Sequence, residues 1–212
     1  MKKKIFLDPN IENKSKTVED KIQLFEYNGI TLPLPTEIEI SESGTCNRSC
    51  SFCPRSASDF EDKKEFITNL LHEKLCLELK ELNYKGTIRY SGFVEPLLDK
   101  NIYNLINMVR THLPDSNVEM VTNGDPLNNV RLKKLFNNGL NKILISAYDG
   151  KEEAQKLKDL CLELNLNENQ FIVRHRYLSE DQDFGIALSN RSGLMENAEF
   201  KIKSLKEPLN KP

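Results

Sequence analysis

The sequence predicts an α/β fold with a parallel sheet, in which four strand–helix units are followed by a fifth strand. From about residue 35, short strand patterns alternate with amphipathic helix patterns, an order typical of parallel sheets. Residues 143–145, Ile-Leu-Ile, are wholly apolar, as expected for a strand that is buried on both faces. Such a chain forms an open sheet or a partial barrel, and ligands bind at the carboxyl ends of its strands.

The strand predictions follow local patterns along the chain. Glu37–Ile40 alternates acidic and apolar residues, which indicates a strand with one buried face. Four later runs have the same strand character, and they cover residues 87–91, 118–122, 143–145 and 171–176. Right-handed crossovers between consecutive parallel strands are expected.

The helix predictions depend on apolar stripes with helical spacing. The first helix follows the cysteine loop and ends at residues 83–86, Asn-Tyr-Lys-Gly; the second covers residues 101–112 and ends before Pro114. The third ends at a C-cap glycine, Gly139, and the fourth follows residues 149–150, Asp-Gly. The stripes of the first, third and fourth helices consist of Leu71, Leu75, Leu79, Leu82, Leu132, Leu135, Phe136, Leu157, Leu160, Cys161 and Leu164.

The chain divides into one domain and two polar flanks. Its 212 residues, of which 38% are hydrophobic, suit a single globular domain. We expect a lead-in over residues 1–34 that is irregular apart from a short helix near residues 18–25. The core domain covers residues 35–178, and residues 179–212 form a polar tail or a linker to a missing domain.

Composition argues against several classes of partner. Thirty basic and thirty-two acidic residues give a net charge of −2, and no basic patch with interleaved aromatic residues is visible, so we expect no nucleic-acid partner. The apolar run at residues 5–7 is too short for a signal peptide, and no later stretch could span a bilayer. The odd number of five cysteines argues against a disulfide framework. We therefore expect a cytoplasmic protein with reduced thiols and no membrane partner.

Three cysteines lie in one short loop directly after the first strand. Cys46, Cys50 and Cys53 belong to the run Thr-Cys-Asn-Arg-Ser-Cys-Ser-Phe-Cys-Pro-Arg. Thiolates are the usual ligands of iron–sulfur clusters, and a cubane cluster held by three of them keeps one iron open to another ligand. The loop therefore predicts a reactive metal cluster.

Other interpretations of the cysteines and histidines stay open. The three cysteines could form most of a zinc site, but zinc requires a fourth protein ligand, and His72 falls within the predicted first helix. Cys76 and Cys161 lie on apolar helix stripes and are expected in the core. His112 is expected to stabilise a helix C-terminus.

The cysteine spacing, with Phe52 before the third cysteine, resembles the signature of the radical S-adenosylmethionine (SAM) enzymes. The resemblance covers about residues 36–176, because motifs at later strand ends occur in the same order. It implies a partial (β/α)6-type parallel barrel, of which five strands are visible here. It also implies that Cys46, Cys50 and Cys53 bind a [4Fe–4S] cluster and that the open iron is chelated by SAM. Reductive cleavage of SAM then gives a 5′-deoxyadenosyl radical that abstracts hydrogen from the substrate.

The same resemblance implies further cofactor-binding residues. Residues 92–96, Gly-Phe-Val-Glu-Pro, are similar to the family's Gly-Gly-Glu-Pro segment, so Gly92 and Glu95 are expected beside the SAM amino group. Val94 departs from that pattern, and its backbone must avoid positive φ or accept strain. Asn123 and Ser146 fall where relatives contact the ribose or the methionine carboxylate, and Phe52 falls beside adenine.

The fifth strand adds a candidate anion site. Arg174 and Arg176 alternate with His175, so the arginines share one face of the strand and the histidine lies on the other. The arginines could bind an anionic substrate or the SAM carboxylate, or could simply be solvated. Arg174 is included among the predicted cofactor-binding residues.

The end of the chain is similar to the linker of the SPASM-type radical SAM enzymes, although no cysteine follows Cys161 to bind auxiliary clusters. That resemblance implies a small-molecule, sugar or peptide substrate and an electron donor such as a flavodoxin or ferredoxin. No residue can be named as a hydrogen donor or an acid–base catalyst. The alternative function is a cluster-binding module without independent turnover, which needs a partner or a missing C-terminal domain.

Overall fold

The computed structural model describes residues 22–179 and residue 182. The chain enters the described region through an antiparallel hairpin of β1 (Leu24–Tyr27) and β2 (Ile30–Pro33). The helix predicted near residues 18–25 is wrong at its described end, because residues 24 and 25 belong to β1. The Asn-Gly pair at the turn explains the hairpin: Asn28 and Gly29 have φ of 50° and 77°, as a two-residue turn requires. Residues 18–21 and most of the predicted tail lie outside the described residues.

The remaining elements alternate as the sequence predicts, apart from two short strands between the first sheet strand and the first helix that it does not predict. In chain order they are β3 (Glu37–Ile40), β4 (Ser43–Gly44), β5 (Lys63–Phe66), α1 (Asn69–Glu81), β6 (Thr87–Tyr90), α2 (Ile102–His112), β7 (Asn117–Thr122), α3 (Asn129–Asn137), β8 (Lys142–Ala147), α4 (Lys151–Glu163) and β9 (Phe171–His175). Side chains cap two of the helices: Thr68 accepts from Leu71 N at the start of α1, and Asn128 accepts from Arg131 N at the start of α3.

Five parallel strands form the central sheet in the order β3-β6-β7-β8-β9. All five predicted strands are therefore confirmed, and the predicted α/β class with them. Among the described residues, β3 and β9 each have a single neighbour in this sheet, so the sheet is open, as in a partial barrel. Strands that follow one another in this order are adjacent. Because they are parallel, their carboxyl ends lie at one edge of the sheet.

The two faces of the sheet differ in chemistry. One face packs its apolar side chains, including Ile88, Met120 and Ile143, into a core with the helices. Cys76 and Cys161 belong to this core, with exposed fractions of 1% and 0%, as the sequence predicts. In the described part of the chain, no helix combines the length and the apolar composition needed to cross a membrane.

The opposite face of the sheet carries charged side chains. Arg89 of β6 is 1% exposed and pairs with Glu119 of β7 at 2.6 Å and with Glu37 of β3 at 2.8 Å. These contacts join three adjacent strands through side chains as well as through the backbone. Because an unpaired buried charge is costly, the buried guanidinium depends on these carboxylates.

The carboxyl end of β3 buries an acid just before the cysteine loop. Glu42 is 1% exposed; its Oε1 accepts from Ser43 Oγ at 3.2 Å, and its Oε2 has no partner among the described residues. Burial raises the pKa of Glu42 from 4.5 to about 8, and the nearby carboxyls of Glu95 and Asp99 add to the rise. Glu42 is therefore protonated at neutral pH.

The substitution Arg89→Met should lower the free energy of unfolding by about 3–5 kcal/mol, because it removes the buried counter-charge of Glu119 and the second ion pair with Glu37. Urea unfolding at neutral pH measures this change. The control Lys74→Met removes an exposed pair of 3.7 Å with Glu78 and should cost less than about 1 kcal/mol. Equal effects of the two substitutions would contradict the structural role of Arg89.

The substitution Glu42→Gln should stabilise the protein more as pH rises. A raised folded-state pKa means that the folded protein binds the proton more tightly, so wild-type stability falls between pH 4.5 and about 8. Glutamine removes that loss, so the melting temperatures of variant and wild type should diverge across this interval and agree below it. A difference that stays constant with pH would refute the protonated, buried Glu42.

Candidate cluster and cofactor site

The cysteine loop leaves the sheet through a narrow ribbon. Strands β4 and β5 pair across the base of the loop, with Gly44 opposite Lys63. A β-carbon at Gly44 would lie 2.2 Å from the Lys63 carbonyl oxygen, so the close approach requires glycine. Within the loop, Cys53 N donates to Cys50 O at 2.9 Å, and Pro54–Ser56 forms a short 3₁₀ turn.

The loop faces a cavity of about 100 Å³ at the carboxyl edge of the sheet. Eight of the nine predicted site residues line this cavity. They are Cys46, Cys50, Phe52, Cys53, Gly92, Glu95, Asn123 and Ser146. The parallel topology thus brings the loop after β3 together with the ends of β6, β7 and β8, as the strand order predicts.

One of the three thiols accepts hydrogen bonds. Cys46 Sγ accepts from Arg48 N at 3.5 Å and from Asn123 Nδ2 at 3.8 Å, and such hydrogen bonds stabilise a sulfur that carries negative charge. Burial raises the pKa of the Cys46 and Cys50 thiols, so metal binding must displace their protons.

A structural zinc site would require a fourth protein ligand beside the three cysteines. Among the described residues, the His, Cys, Asp and Glu ligand atoms that gather in threes within 4.8 Å are those of Asp125, Asp149 and Glu153. His72 is buried and bonded to the Tyr90 hydroxyl at 2.8 Å, away from the cavity.

Glu95 fastens two strand ends with its carboxylate. Its Oε1 accepts from Thr122 Oγ1 at 2.6 Å and from Leu97 N at 3.0 Å, and its Oε2 accepts from Asn123 N at 2.8 Å. Burial raises the pKa of Glu95, although these donors oppose the rise. The carboxylate is therefore engaged by its own chain.

The backbone before Glu95 adapts to the missing glycine. Val94 is not among the residues with positive φ, so it avoids the strain that its side chain would bring there. Gly92 has φ of 127°, and a β-carbon there would lie 2.1 Å from Ser41 Oγ. Glycine is thus required at position 92.

Sequence reasoning missed an aromatic residue of the site. Tyr148, directly after β8, lines the cavity and stacks on Phe52 with ring centroids 5.5 Å apart. The two rings make an apolar wall beside the cysteines, and an aromatic residue at a predicted strand end was the available signal. Asn123 was predicted as a cofactor contact, but its Nδ2 donates to Asn47 Oδ1 at 2.8 Å and its Oδ1 accepts from Asp125 N.

Arg174 lies next to the cavity without lining it. It is 8% exposed and pairs in register with Ser146, and its charge, with that of Arg176, acts against the burial that raises the pKa of Tyr148. His175 lies on the other side of β9 and contacts the Tyr177 hydroxyl through Nδ1 at 3.0 Å, as the alternation predicts.

His112 is the last residue of α2, the position that the sequence predicts. Its Nε2 lies 3.6 Å from Glu73 Oε1. In the structure, His112 lies outside the cavity that holds the cysteines.

Comparison with known proteins finds relatives of this chain. A curated relative, the S-adenosyl-L-methionine-dependent 2-deoxy-scyllo-inosamine dehydrogenase of Niallia circulans, is 29% identical over 160 residues, which are 76% of this chain and 60% of the relative. The crystal structure of BtrN in complex with AdoMet and 2-DOIA matches with a TM-score of 0.63 and 26% identity, over 77% of this chain and 63% of that one. An open conformation of BtrN matches with a TM-score of 0.52 and 26% identity, over 66% of this chain and 56% of that one.

The chain thus spans less than two thirds of the length of the relatives it matches. A family model, the radical SAM superfamily, matches residues 40–167, which is more than half of the chain and includes the cysteine loop and the ends of β6, β7 and β8. The chain belongs to the radical SAM superfamily.

Proposed function

We propose that this chain is a radical SAM enzyme that holds a [4Fe–4S] cluster through Cys46, Cys50 and Cys53. The observation that carries the proposal is the cavity in which these cysteines meet the ends of β6, β7 and β8. When bound, the cluster supplies the electron that cleaves SAM to methionine and a 5′-deoxyadenosyl radical. The chain itself binds and orients the cofactor and excludes water from the radical.

Several of the predicted residues have a role in this proposal. Phe52, with Tyr148, offers an apolar surface for adenine. Glu95 acts indirectly, by holding the ends of β6 and β7 together. Gly92 and Ser146 line the cavity and can approach the polar groups of SAM.

The proposed substrate is a small hydroxylated molecule, from which the 5′-deoxyadenosyl radical abstracts one hydrogen atom to give 5′-deoxyadenosine and a substrate radical. The support is the 29% identity to the 2-deoxy-scyllo-inosamine dehydrogenase and the likeness to BtrN bound to AdoMet and 2-DOIA. An electron donor such as a flavodoxin or ferredoxin would reduce the cluster. Arg174 and Arg176 add positive charge beside the cavity, and the SPASM-type affiliation stays a prediction.

Anaerobic reconstitution followed by dithionite and SAM tests the proposal directly. Release of 5′-deoxyadenosine supports the enzyme, whereas cluster formation without cleavage supports the alternative, a cluster-binding module that lacks independent turnover. With 2-deoxy-scyllo-inosamine deuterated at its reacting carbon, transfer of deuterium into deoxyadenosine would identify the hydrogen that is abstracted.

The substitution Cys50→Ala should abolish the visible absorbance and the bound iron of the reconstituted protein, because it removes one of three thiolate ligands. The matched control is Cys161→Ala, which removes a core thiol outside the loop and should keep both signals. Metal analysis and absorbance spectroscopy measure the outcome. Tetrahedral zinc in the wild-type protein, or equal loss of iron in both variants, would contradict the ligand assignment.

A further inference from the structure

Arg48, between the first two cysteines, makes two bidentate ion pairs. Its Nε and Nη2 lie 2.7 and 2.5 Å from the two carboxylate oxygens of Asp125, and its Nη1 and Nη2 lie 3.0 and 2.8 Å from those of Asp149. A third carboxylate, Glu153, lies 3.3 Å from Nη2. The planar guanidinium, with donors on three nitrogens, suits such an arrangement, whereas a lysine ammonium does not.

These partners come from two separate strand ends. Asp125 follows β7, Asp149 follows β8, and Glu153 in α4 accepts from the backbone N–H groups of Tyr148 and Asp149 at 2.7 Å each. The guanidinium also lies over the Tyr148 ring, 5.3 Å from its centroid. One side chain of the cysteine loop thus contacts the termini of two adjacent strands.

The ion pairs are more than an ordinary surface contact. The Arg48 side chain is 18% exposed, and three carboxylate oxygens lie within 4.8 Å of one another around it. Without the guanidinium, these carboxylates would repel each other and would lie beside thiolates that also carry negative charge. Arg48 therefore compensates the negative charge of these three carboxylates.

A second arginine holds the opposite side of the loop but does not replace the first. Arg55 donates to the carbonyl oxygens of Gly44 and Phe93 at 3.1 Å each and pairs with Asp62. These contacts lead to β4 and to the end of β6, not to β7 or β8. The segment that contains Cys46 and Cys50 is therefore tied to β7 and β8 mainly through Arg48 and its neighbour Asn47, which donates to Asp125 Oδ2 at 2.6 Å.

We propose that Arg48 is a positioning residue that fastens the cysteine loop to the ends of β7 and β8 and thereby sets how firmly the thiolates hold their metal. The inference depends on the proposed function in that the loop is taken to bind a cluster. Arg48 acts through Asp125 and Asp149. Loss of residues that orient metal ligands typically weakens metal binding by about 10- to 100-fold.

The test compares Arg48→Met with wild type and with a matched control, Arg110→Met. Arg110 is another part-buried arginine with several acceptors, the carbonyls of Pro114, Ser116 and Gly139 at 2.7, 2.9 and 3.0 Å, at the amino ends of the strands. In the reconstituted proteins, a chelator should remove iron about 10- to 100-fold faster from Arg48→Met, at wild-type rate from Arg110→Met, and at an intermediate rate from Arg48→Lys. The lysine variant keeps the charge but loses the bidentate geometry.

A second measurement uses the apoprotein and needs no cluster. Amide hydrogen exchange over residues 45–53 should be faster in Arg48→Met than in wild type and unchanged in Arg110→Met. If Arg48→Met does not fold, Asp149→Asn replaces it, because that side chain is 64% exposed and its loss removes one bidentate pair.

Two results would overturn the inference: iron loss from Arg48→Met within twofold of wild type, or loop exchange that matches the Arg110→Met control. Failure of the proposed function is distinguishable from both. In that case the wild-type protein binds no cluster, while hydrogen exchange in the apoprotein still tests whether Arg48 fastens the loop.

Discussion

The position of the cysteine loop depends on polar contacts with strand ends, because the loop has almost no regular secondary structure of its own. Arg48 connects it to Asp125 and Asp149, and Arg55 connects it to the Phe93 carbonyl. Glu95 in turn holds the end of β6 against that of β7, so the surfaces that receive the loop are themselves fixed. The parallel sheet only brings these segments near one another. The cavity is therefore formed by the hydrogen bonds and ion pairs that their side chains make.

The parallel sheet sets the direction of the strands, and the buried charges align neighbouring strands. The row that contains Arg89 and Glu119 ties neighbouring strands on the charged face, while the apolar face is held by packing against the helices. Burial raises the pKa of two acidic side chains at the carboxyl edge of the sheet, that of Glu42 to about 8 and that of Glu95 against the hydrogen bonds it accepts.

Local patterns were enough to predict the parallel strands, because strand character is encoded over a few consecutive residues, and parallel topology then placed the cysteine loop at the cavity. The hairpin was missed since an apolar residue at every few positions fits a helix as well as a strand, and the Asn28-Gly29 turn was the decisive signal. Contacts such as that between Arg48 and Asp125, 77 residues apart, depend on the tertiary fold and leave no local pattern. For Tyr148 a local signal was present, an aromatic residue at a strand end, but its stacking on Phe52 depends on the tertiary fold.

The two cysteines outside the loop have a practical consequence for chemistry in solution. Cys76 and Cys161 are 1% and 0% exposed, and burial raises the pKa of their thiols to about 11 and about 12. Alkylating reagents act on thiolates, so neither residue offers them a target while the protein is folded. Counting the thiols that can be alkylated in the native protein therefore reports on the loop alone.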